Sequence, residues 1–101
     1  MEKEIKKIDK ERYAANKEAF SQEELDIILQ KRISVLGCGG LGGYVCQGFA
    51  RFGVGGLTVV DGDVFSASNL NRQLFATEEN LGRPKAYVCK EKLAKINSAL
   101  W

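Results

Sequence analysis

Charged and hydrophobic positions divide this chain into two parts near residue 32. Residues 1–32 carry eight basic and eight acidic side chains, whereas residues 33–71 carry only three charged side chains. An even mixture of both charges is typical of solvent-exposed helices, and a long stretch almost without charge is typical of a core. The pattern therefore predicts an N-terminal helical segment over 1–31 and a globular domain over 32–101.

The N-terminal segment contains one well-marked helix start. Ser21 and Glu24 form a capping box, in which the serine hydroxyl accepts from the third helical N–H and the glutamate reaches back to the serine N–H. A short apolar stripe at helical spacing follows: Leu25, Ile28 and Leu29. Two isoleucines indicate an earlier and more weakly determined helix: Ile5 and Ile8.

The central part of the chain predicts a strand, a helix and a second strand. Residues 33–36 and 57–60 are short apolar runs rich in β-branched side chains, as expected of buried strands. Residues 41–52 form the predicted helix, which ends at the glycines of 53–56. Its apolar positions at helical spacing are Leu41, Val45, Phe49 and Phe52. Such a βαβ unit joins two parallel strands by a right-handed crossover.

A last helix is predicted to begin at Pro84, because proline suits a first helical position, where its missing N–H would be unpaired anyway. Its apolar residues are spaced alternately three and four apart and predict one buried face: Ala86, Cys89, Leu93, Ile96 and Leu100. Two strands are too few for a parallel sheet covered on both faces. The α/β sheet is therefore expected to be the start of a truncated sheet, completed by further chain or by another subunit.

Composition excludes several classes of protein. A chain of 101 residues with 45% hydrophobic and 28% charged residues is typical of one soluble domain, and a net charge of +2 indicates neither nucleic acid nor a membrane surface as partner. The charged N-terminus is no signal peptide and no apolar run could span a bilayer, so a cytoplasmic location is expected.

Histidine is absent, which excludes Ser-His and Cys-His catalysis. The three cysteines contain no C-x-x-C pair, so no metal site is predicted and they are interpreted as buried reduced thiols.

A glycine pattern follows the first predicted strand. Gly37, Gly39 and Gly42 fit G-x-G-x-x-G, and Gly40 lies between them. Glycines at these positions permit a tight turn, a close approach of backbone N–H groups to a phosphate, and close packing of helix on strand. Asp61 ends the next strand, where a carboxylate can accept hydrogen bonds from both hydroxyls of a ribose. Together they favour a Rossmann-like nucleotide site over a merely structural glycine turn.

Two cations then favour ATP over a nicotinamide cofactor. Arg72 and Lys85 follow the second strand, and a dinucleotide dehydrogenase does not need such a pair there. A phosphoryl-transfer site does, because fixed cations must hold a triphosphate and stabilise departing pyrophosphate. The guanidinium of Arg72 can bind two phosphate oxygens, while Lys85 offers a point charge.

At this level of detail the sequence resembles the ThiF/MoeB/HesA adenylyltransferases, which share their nucleotide-binding fold with ubiquitin-activating enzymes. The resemblance runs from about Arg12 to Asn97. It rests on five motifs: Gly-Cys-Gly-Gly-Leu-Gly at 37–42, Gly-Val-Gly-Gly at 53–56, Val-Val-Asp-Gly-Asp at 59–63, Ser-Asn-Leu-Asn-Arg-Gln at 68–73 and Gly-Arg-Pro-Lys at 82–85. It implies that residues 32–101 are part of a Rossmann-like ATP-binding domain.

The resemblance also implies a reaction and its site. The family uses ATP, expected with Mg²⁺, to adenylate the C-terminal carboxylate of a ubiquitin-like sulfur-carrier protein, as in thiamin or molybdopterin biosynthesis. Arg72 and Lys85 would be catalytic. The nucleotide-binding set would be Gly37, Gly39, Gly40, Gly42, Asp61, Ser68, Asn69, Leu70, Asn71, Arg72 and Lys85. Within it, Gly40 would contact phosphate, Asp61 would hold the ribose, and 68–72 would line the nucleotide.

The resemblance further implies a homodimer. Both predicted strands are apolar on both faces and belong inside a covered sheet, so the helix and strand edges around 41–60 are expected near its interface. The family's Arg-Tyr-x-Arg motif supplies an arginine to the partner subunit's ATP site. Here the segment reads Arg12-Tyr13-Ala14-Ala15, so Ala15 replaces the second arginine of the motif. The family's Mg²⁺-binding aspartate, substrate-carrying cysteine and zinc cysteines have no counterpart within these residues. Two other functions stay open: an NAD-binding oxidoreductase domain, and a non-catalytic module for nucleotide binding or dimerisation.

Overall fold

A computed structural model describes residues 11–98 and 100. The helix predicted around Ile5 and Ile8 lies outside these described residues. Five principal elements follow one another: helix α1 (Gln22–Leu29), strand β1 (Arg32–Leu36), helix α2 (Gly42–Phe52), strand β2 (Gly56–Val60) and helix α3 (Lys85–Ile96). Short 3₁₀ helices occupy Ala14–Glu18, Ala67–Asn69 and Glu78–Asn80. In the described part, no helix is long and apolar enough to cross a membrane.

The predicted βαβ unit is confirmed. Strands β1 and β2 pair in parallel, with Ile33 opposite Leu57 and Val35 opposite Val59, and α2 connects them. Each strand begins one residue earlier than predicted, because the pairing extends to Arg32 and its partner glycine. The result is a Rossmann-like α/β arrangement of which two strands are present among the described residues.

The core lies between one face of the sheet and helices α2 and α3. Alternate strand residues, among them Val35 and Val59, pack against this core, while the others point away from it. Leu36, for example, is 82% exposed and Val60 is exposed as well. The sheet is therefore covered on one face only in the described part. The buried core consists of Cys38, Cys46, Ala50, Phe65, Phe75, Val88, Cys89 and Leu93.

The buried face of α2 differs from the stripe that the sequence predicts. Its buried residues are small: Gly43, Cys46 and Ala50. The bulky residues Leu41, Val45 and Phe52 are instead exposed. Small side chains let the helix approach its neighbours closely: a Cβ on Gly43 would lie 3.5 Å from the ring of Phe75. The spacing of apolar residues therefore predicted the helix correctly, whereas close packing decides which face of the helix is buried.

The starts and ends of the other helices follow local signals. The capping box of Ser21 and Glu24 is present, with both hydrogen bonds formed at 3.1 and 2.9 Å. Helix α3 begins at Lys85 rather than at Pro84, because Pro84 has an extended ψ of 130° and pairs with Val64 in an isolated bridge. The predicted inward positions of α3 include the buried residues Cys89 and Leu93. The helix ends at Ile96, so Leu100 contacts the core from outside it.

The two ends of the described chain meet at the end of α2. Gly53 has a left-handed φ of 104° there, and a Cβ on it would lie 2.7 Å from the Tyr13 ring. The Asn97 side-chain amide donates to the carbonyl of Ala50 at 3.1 Å and to the hydroxyl of Tyr13 at 3.3 Å. The N-terminal segment is thus fastened to the βαβ unit.

Candidate functional site

The glycine loop after β1 makes the tight turn that its sequence predicts. Gly37 has a φ of 97°, a left-handed conformation that favours glycine, and its N–H donates to the Val60 carbonyl at 2.7 Å. A Cβ on Gly42 would overlap the carbonyl oxygen of Gly37. The first glycine is therefore required by backbone conformation, and the last by the approach of the helix to the turn.

The loop leads into the N-terminus of α2. No side chain caps this helix at Leu41. The first N–H groups of a helix lack intrahelical partners and carry a partial positive charge, so such an end suits an anion. Gly40, just before it, is exposed, and a Cβ there would lie 3.9 Å from the aliphatic part of the Arg72 side chain. The loop and one predicted phosphate-binding cation are therefore brought together.

Asp61 lies at the end of β2, beside the same loop. One carboxylate oxygen accepts the N–H of Cys38 at 2.7 Å, and the other accepts the N–H of Asp63 at 2.8 Å. Partial burial raises the pKa of this carboxyl, but the two N–H donors and the charge of Lys85 outweigh it and hold the pKa below its ordinary value. Asp61 is therefore ionised at neutral pH, and each oxygen keeps acceptor capacity for further donors.

Lys85 is placed within the site by the start of α3. Its side chain is only 7% exposed, its Nζ lies 5.7 Å from the centre of the Phe65 ring, and its backbone N–H donates to the Asp63 carbonyl at 2.9 Å. Its charge also acts on Asp61 and Cys38. A buried ammonium costs free energy unless a counter-charge is near; Asp61 supplies one, and an anionic ligand between the loop and Lys85 would supply another.

The segment 68–72 is held by hydrogen bonds within itself. Arg72 Nη1 donates to the Ser68 carbonyl at 2.9 Å and to the Asn71 side chain at 3.2 Å. The hydroxyl of Ser68 also lies 3.0 Å from that of Ser66. Leu70 is exposed. These contacts fix the direction of the Arg72 side chain across the glycine loop.

Asn69 is in a different environment from its exposed neighbours. It is buried, and its side-chain oxygen accepts the Ser66 N–H at 2.9 Å. That bond caps the 3₁₀ helix Ala67–Asn69. In this structure Asn69 thus stabilises the segment that carries Arg72. The family resemblance implies that it lines the nucleotide, and a motif position does not distinguish a lining amide from a capping one.

Gln73 belongs to the same motif but is absent from the predicted site. It is buried, and its Nε2 lies 3.8 Å from the position that a Cβ would take on Gly39. The only feature of the sequence that could have marked Gln73 as a site residue is its position directly after Arg72. That position does not reveal that the side chain is buried beside the glycine loop.

The three cysteines are free and buried, as predicted. Burial raises the pKa of all three thiols, to about 11 for Cys46. They are therefore protonated at neutral pH and unsuited to nucleophilic chemistry. In the part of the chain that the structure describes, no group of three or more His, Cys, Asp or Glu residues is arranged to hold a metal ion.

The fold agrees with the class of protein that the comparisons identify. The ThiF family model matches residues 12–100, so the chain belongs to the ThiF family. It is 36% identical over 85 residues to the tRNA threonylcarbamoyladenosine dehydratase of Bacillus subtilis, covering 84% of this chain and 34% of that protein. It is 40% identical over 78 residues to the molybdopterin-synthase adenylyltransferase of Salmonella typhimurium, covering 77% of this chain and 31% of that protein.

Solved structures give the same result. The crystal structure of Escherichia coli tRNA N6-threonylcarbamoyladenosine dehydratase in complex with ATP matches with a TM-score of 0.86 and 31% identity, over 90% of this chain and 37% of that one. The chain spans about a third of the length of the curated relatives it matches.

Proposed function

We propose that this chain is the ATP-binding part of an adenylyltransferase. One observation carries the proposal: the ends of two parallel strands bring together an uncapped helix N-terminus, an ionised carboxylate and a buried ammonium. The helix end and Lys85 suit phosphate, and Asp61 suits the hydroxyls of a ribose. The complex of a family member with ATP supports the same ligand.

In this proposal the predicted residues have distinct roles. Gly37 and Gly42 shape the turn, while the N–H groups of Gly39 and Gly40 face the phosphates. Asp61 accepts from the ribose, and the segment 68–71 lines the nucleotide. Arg72 and Lys85 bind the phosphates from two sides, because Arg72 crosses Gly40 and Lys85 lies beside Asp61.

The reaction we propose is transfer of an adenylyl group to a carboxylate. A carboxylate oxygen forms a bond to the α-phosphorus while the bond from that phosphorus to the bridging oxygen breaks. Pyrophosphate then leaves with the bonding electron pair. Arg72 and Lys85 stabilise the negative charge that develops on the leaving group, and the rigid loop holds the α-phosphorus in position.

The carboxylate we favour is the C-terminus of a ubiquitin-like sulfur-carrier protein, as in thiamin or molybdopterin biosynthesis. The relatives named molybdopterin-synthase adenylyltransferase support this class of substrate. The relatives named tRNA threonylcarbamoyladenosine dehydratase make a carboxylate borne by tRNA the second candidate, since a threonyl group carries one. Mg²⁺ would enter with the phosphates of ATP, because Mg²⁺ in nucleotide sites is usually held by substrate phosphates together with one or two carboxylates.

We also propose a homodimer. The outward side of α2 exposes Leu41, Tyr44, Val45 and Phe52, and an apolar helix face of this kind is typical of an interface between subunits. Light scattering at micromolar concentration is expected to show a dimer, and Tyr44→Glu is expected to weaken it. A compact monomer of the unaltered chain would contradict this proposal.

Calorimetric titration with ATP and with NAD tests the nucleotide. We expect ATP to bind more tightly, and the double variant Arg72→Ala, Lys85→Met to lose most of that affinity. Lys90→Met is the matched control, since it removes an exposed lysine from the same helix. Preferential binding of NAD, retained in the double variant, would indicate an oxidoreductase domain instead.

Exchange of labelled pyrophosphate into ATP tests catalysis. We expect exchange only when a carboxylate substrate is added, because the reverse reaction needs an adenylated carboxylate. Addition of a sulfur-carrier protein or of threonylcarbamoyl-modified tRNA distinguishes the two candidate substrates. Tight ATP binding without exchange for either would indicate a non-catalytic module.

A further inference from the structure

A short backbone pairing holds the start of α3 against the segment that follows β2. The N–H of Lys85 donates to the carbonyl of Asp63 at 2.9 Å, and the N–H of Phe65 donates to the carbonyl of Arg83 at 3.0 Å. The carbonyl of Phe65 in turn accepts the N–H of Gly82 at 2.8 Å. The backbones of Phe65 and Lys85 are therefore fixed relative to each other.

The side chains of these two residues meet. Phe65 is 2% exposed, and Lys85 Nζ lies over its ring, 5.7 Å from the ring centre. A cation within about 6 Å of the centre of an aromatic ring is attracted to the negative face of that ring, and the attraction is stronger where water is excluded. Lys85 is itself buried, so the ring and the ammonium interact away from bulk water.

This contact supplies a constraint that a lysine lacks on its own. The ammonium is a point charge on a flexible chain of four carbons, so its position is not fixed by its own geometry. Among the described residues it forms no salt bridge, and the nearby carboxylate of Asp61 already accepts two backbone N–H groups. The ring of Phe65 therefore restricts where the ammonium lies, and the three N–H donors of the ammonium are not all used by it.

We propose that Phe65 is a positioning residue for Lys85, whose ammonium its ring holds in place to bind a phosphate oxygen of ATP. The inference rests on the proposed ATP binding. Phe65 also belongs to the buried core. A core role depends on the size of the ring, whereas a positioning role depends on the negative charge of its face. The two roles are separated by changing that charge at nearly constant size.

Fluorinated phenylalanines make this change, because fluorine withdraws negative charge from the face of the ring. We expect a monofluorinated and then a trifluorinated phenylalanine, incorporated at position 65, to weaken ATP binding stepwise, by about threefold to tenfold for the trifluorinated ring. Calorimetric titration measures the affinity. The affinity for inorganic tripolyphosphate should fall to the same extent and that for adenosine by less than about twofold, since the ammonium contacts phosphate alone.

The same replacements at Phe75 are the matched control. Phe75 belongs to the same core, and in the described part of the chain no cation lies over its ring. These replacements should leave ATP affinity unchanged within about twofold. If the unaltered chain binds ATP, then constant or increased affinity along the Phe65 series, or an equal loss at both positions, would overturn this inference while the proposed function stands. If the unaltered chain binds no ATP, both are wrong.

Nuclear magnetic resonance of the unaltered chain tests the contact directly. The Cε protons of Lys85 are assigned by their absence from the spectrum of Lys85→Met. They should resonate upfield of those of the other lysines, because they adjoin an ammonium that lies over an aromatic ring. We expect this upfield shift to persist in the complex with ATP and to disappear in Phe65→Leu. A return of the Lys85 signals to the usual lysine position when ATP binds would show that the ammonium leaves the ring, and the inference would then be wrong.

Discussion

The two loops that follow the two strands reach the same site by different means. The loop after β1 consists largely of glycines, and its shape depends on what a backbone without side chains can do at Gly37 and Gly42. The segment after β2 consists of polar side chains, and its shape depends on hydrogen bonds made by Asp61, Asn69 and Arg72. Substitutions that add a side chain should therefore disrupt the first loop, and substitutions that remove a polar side chain should disrupt the second.

The largest effect is expected in the glycine loop. Gly42→Ala should destabilise the fold by about 3 kcal/mol, because the new Cβ overlaps the Gly37 carbonyl and the backbone must move. Gly48→Ala is the matched control on the same helix, where a Cβ meets nothing within 4 Å. That change should stabilise the fold by about 0.5–1 kcal/mol. Urea unfolding measures both, and equal effects of the two variants would show that the turn is not tight.

The next effect concerns the carboxylate after β2. Asp61→Ala should weaken ATP at least tenfold, since hydrogen bonds to a charged group are worth about 1.5–3 kcal/mol. Asp63→Ala removes an exposed carboxylate two residues away and should leave affinity nearly unchanged. Calorimetry with both variants checks this, after circular dichroism has shown that they fold. An unaltered dissociation constant for Asp61→Ala would mean that the ribose lies elsewhere.

A smaller effect is expected from the capping amide. Asn69→Ala should cost about 1 kcal/mol of unfolding free energy, because the Ser66 N–H loses its acceptor. Asn71→Ala removes an exposed amide from the same segment and should cost less. Thermal unfolding of the two variants measures the difference. A larger loss of stability in Asn71→Ala would show that the segment is held differently.

The smallest effect is a change of stability with pH. The folded-state pKa of Asp61 lies below its unfolded value, so the ionised carboxylate stabilises the fold above about pH 4, and this contribution is lost as pH falls through the folded-state pKa. Urea midpoints of the unaltered chain and of Asp61→Asn should therefore converge as pH falls from about 5 to 2. A constant difference across that range would argue against the hydrogen bonds of the carboxylate.

The sequence by itself determined the principal elements and which of the predicted site residues lie near one another. The spacing of apolar residues, and the capping and glycine residues at the ends of elements, located the capping box at Ser21, the two strands and the helix between them. Each of these features depends on neighbouring residues alone. The glycine spacing together with Asp61, Arg72 and Lys85 predicted residues that the fold does bring to one edge of the sheet. Five motifs in the same order were specific enough to predict the family correctly.

Only the tertiary structure decided which side of each element faces inward and which polar groups pair. Helix α2 turns its small residues to the core and its bulky ones outward, and the small residue Gly43 lets the helix pack closely against Phe75 and Leu74. Asn69 and Gln73 are both amides of one motif, yet one caps a turn and the other faces the glycine loop. The different roles of these two amides depend on distances between residues far apart in sequence, and a local sequence pattern does not contain such distances.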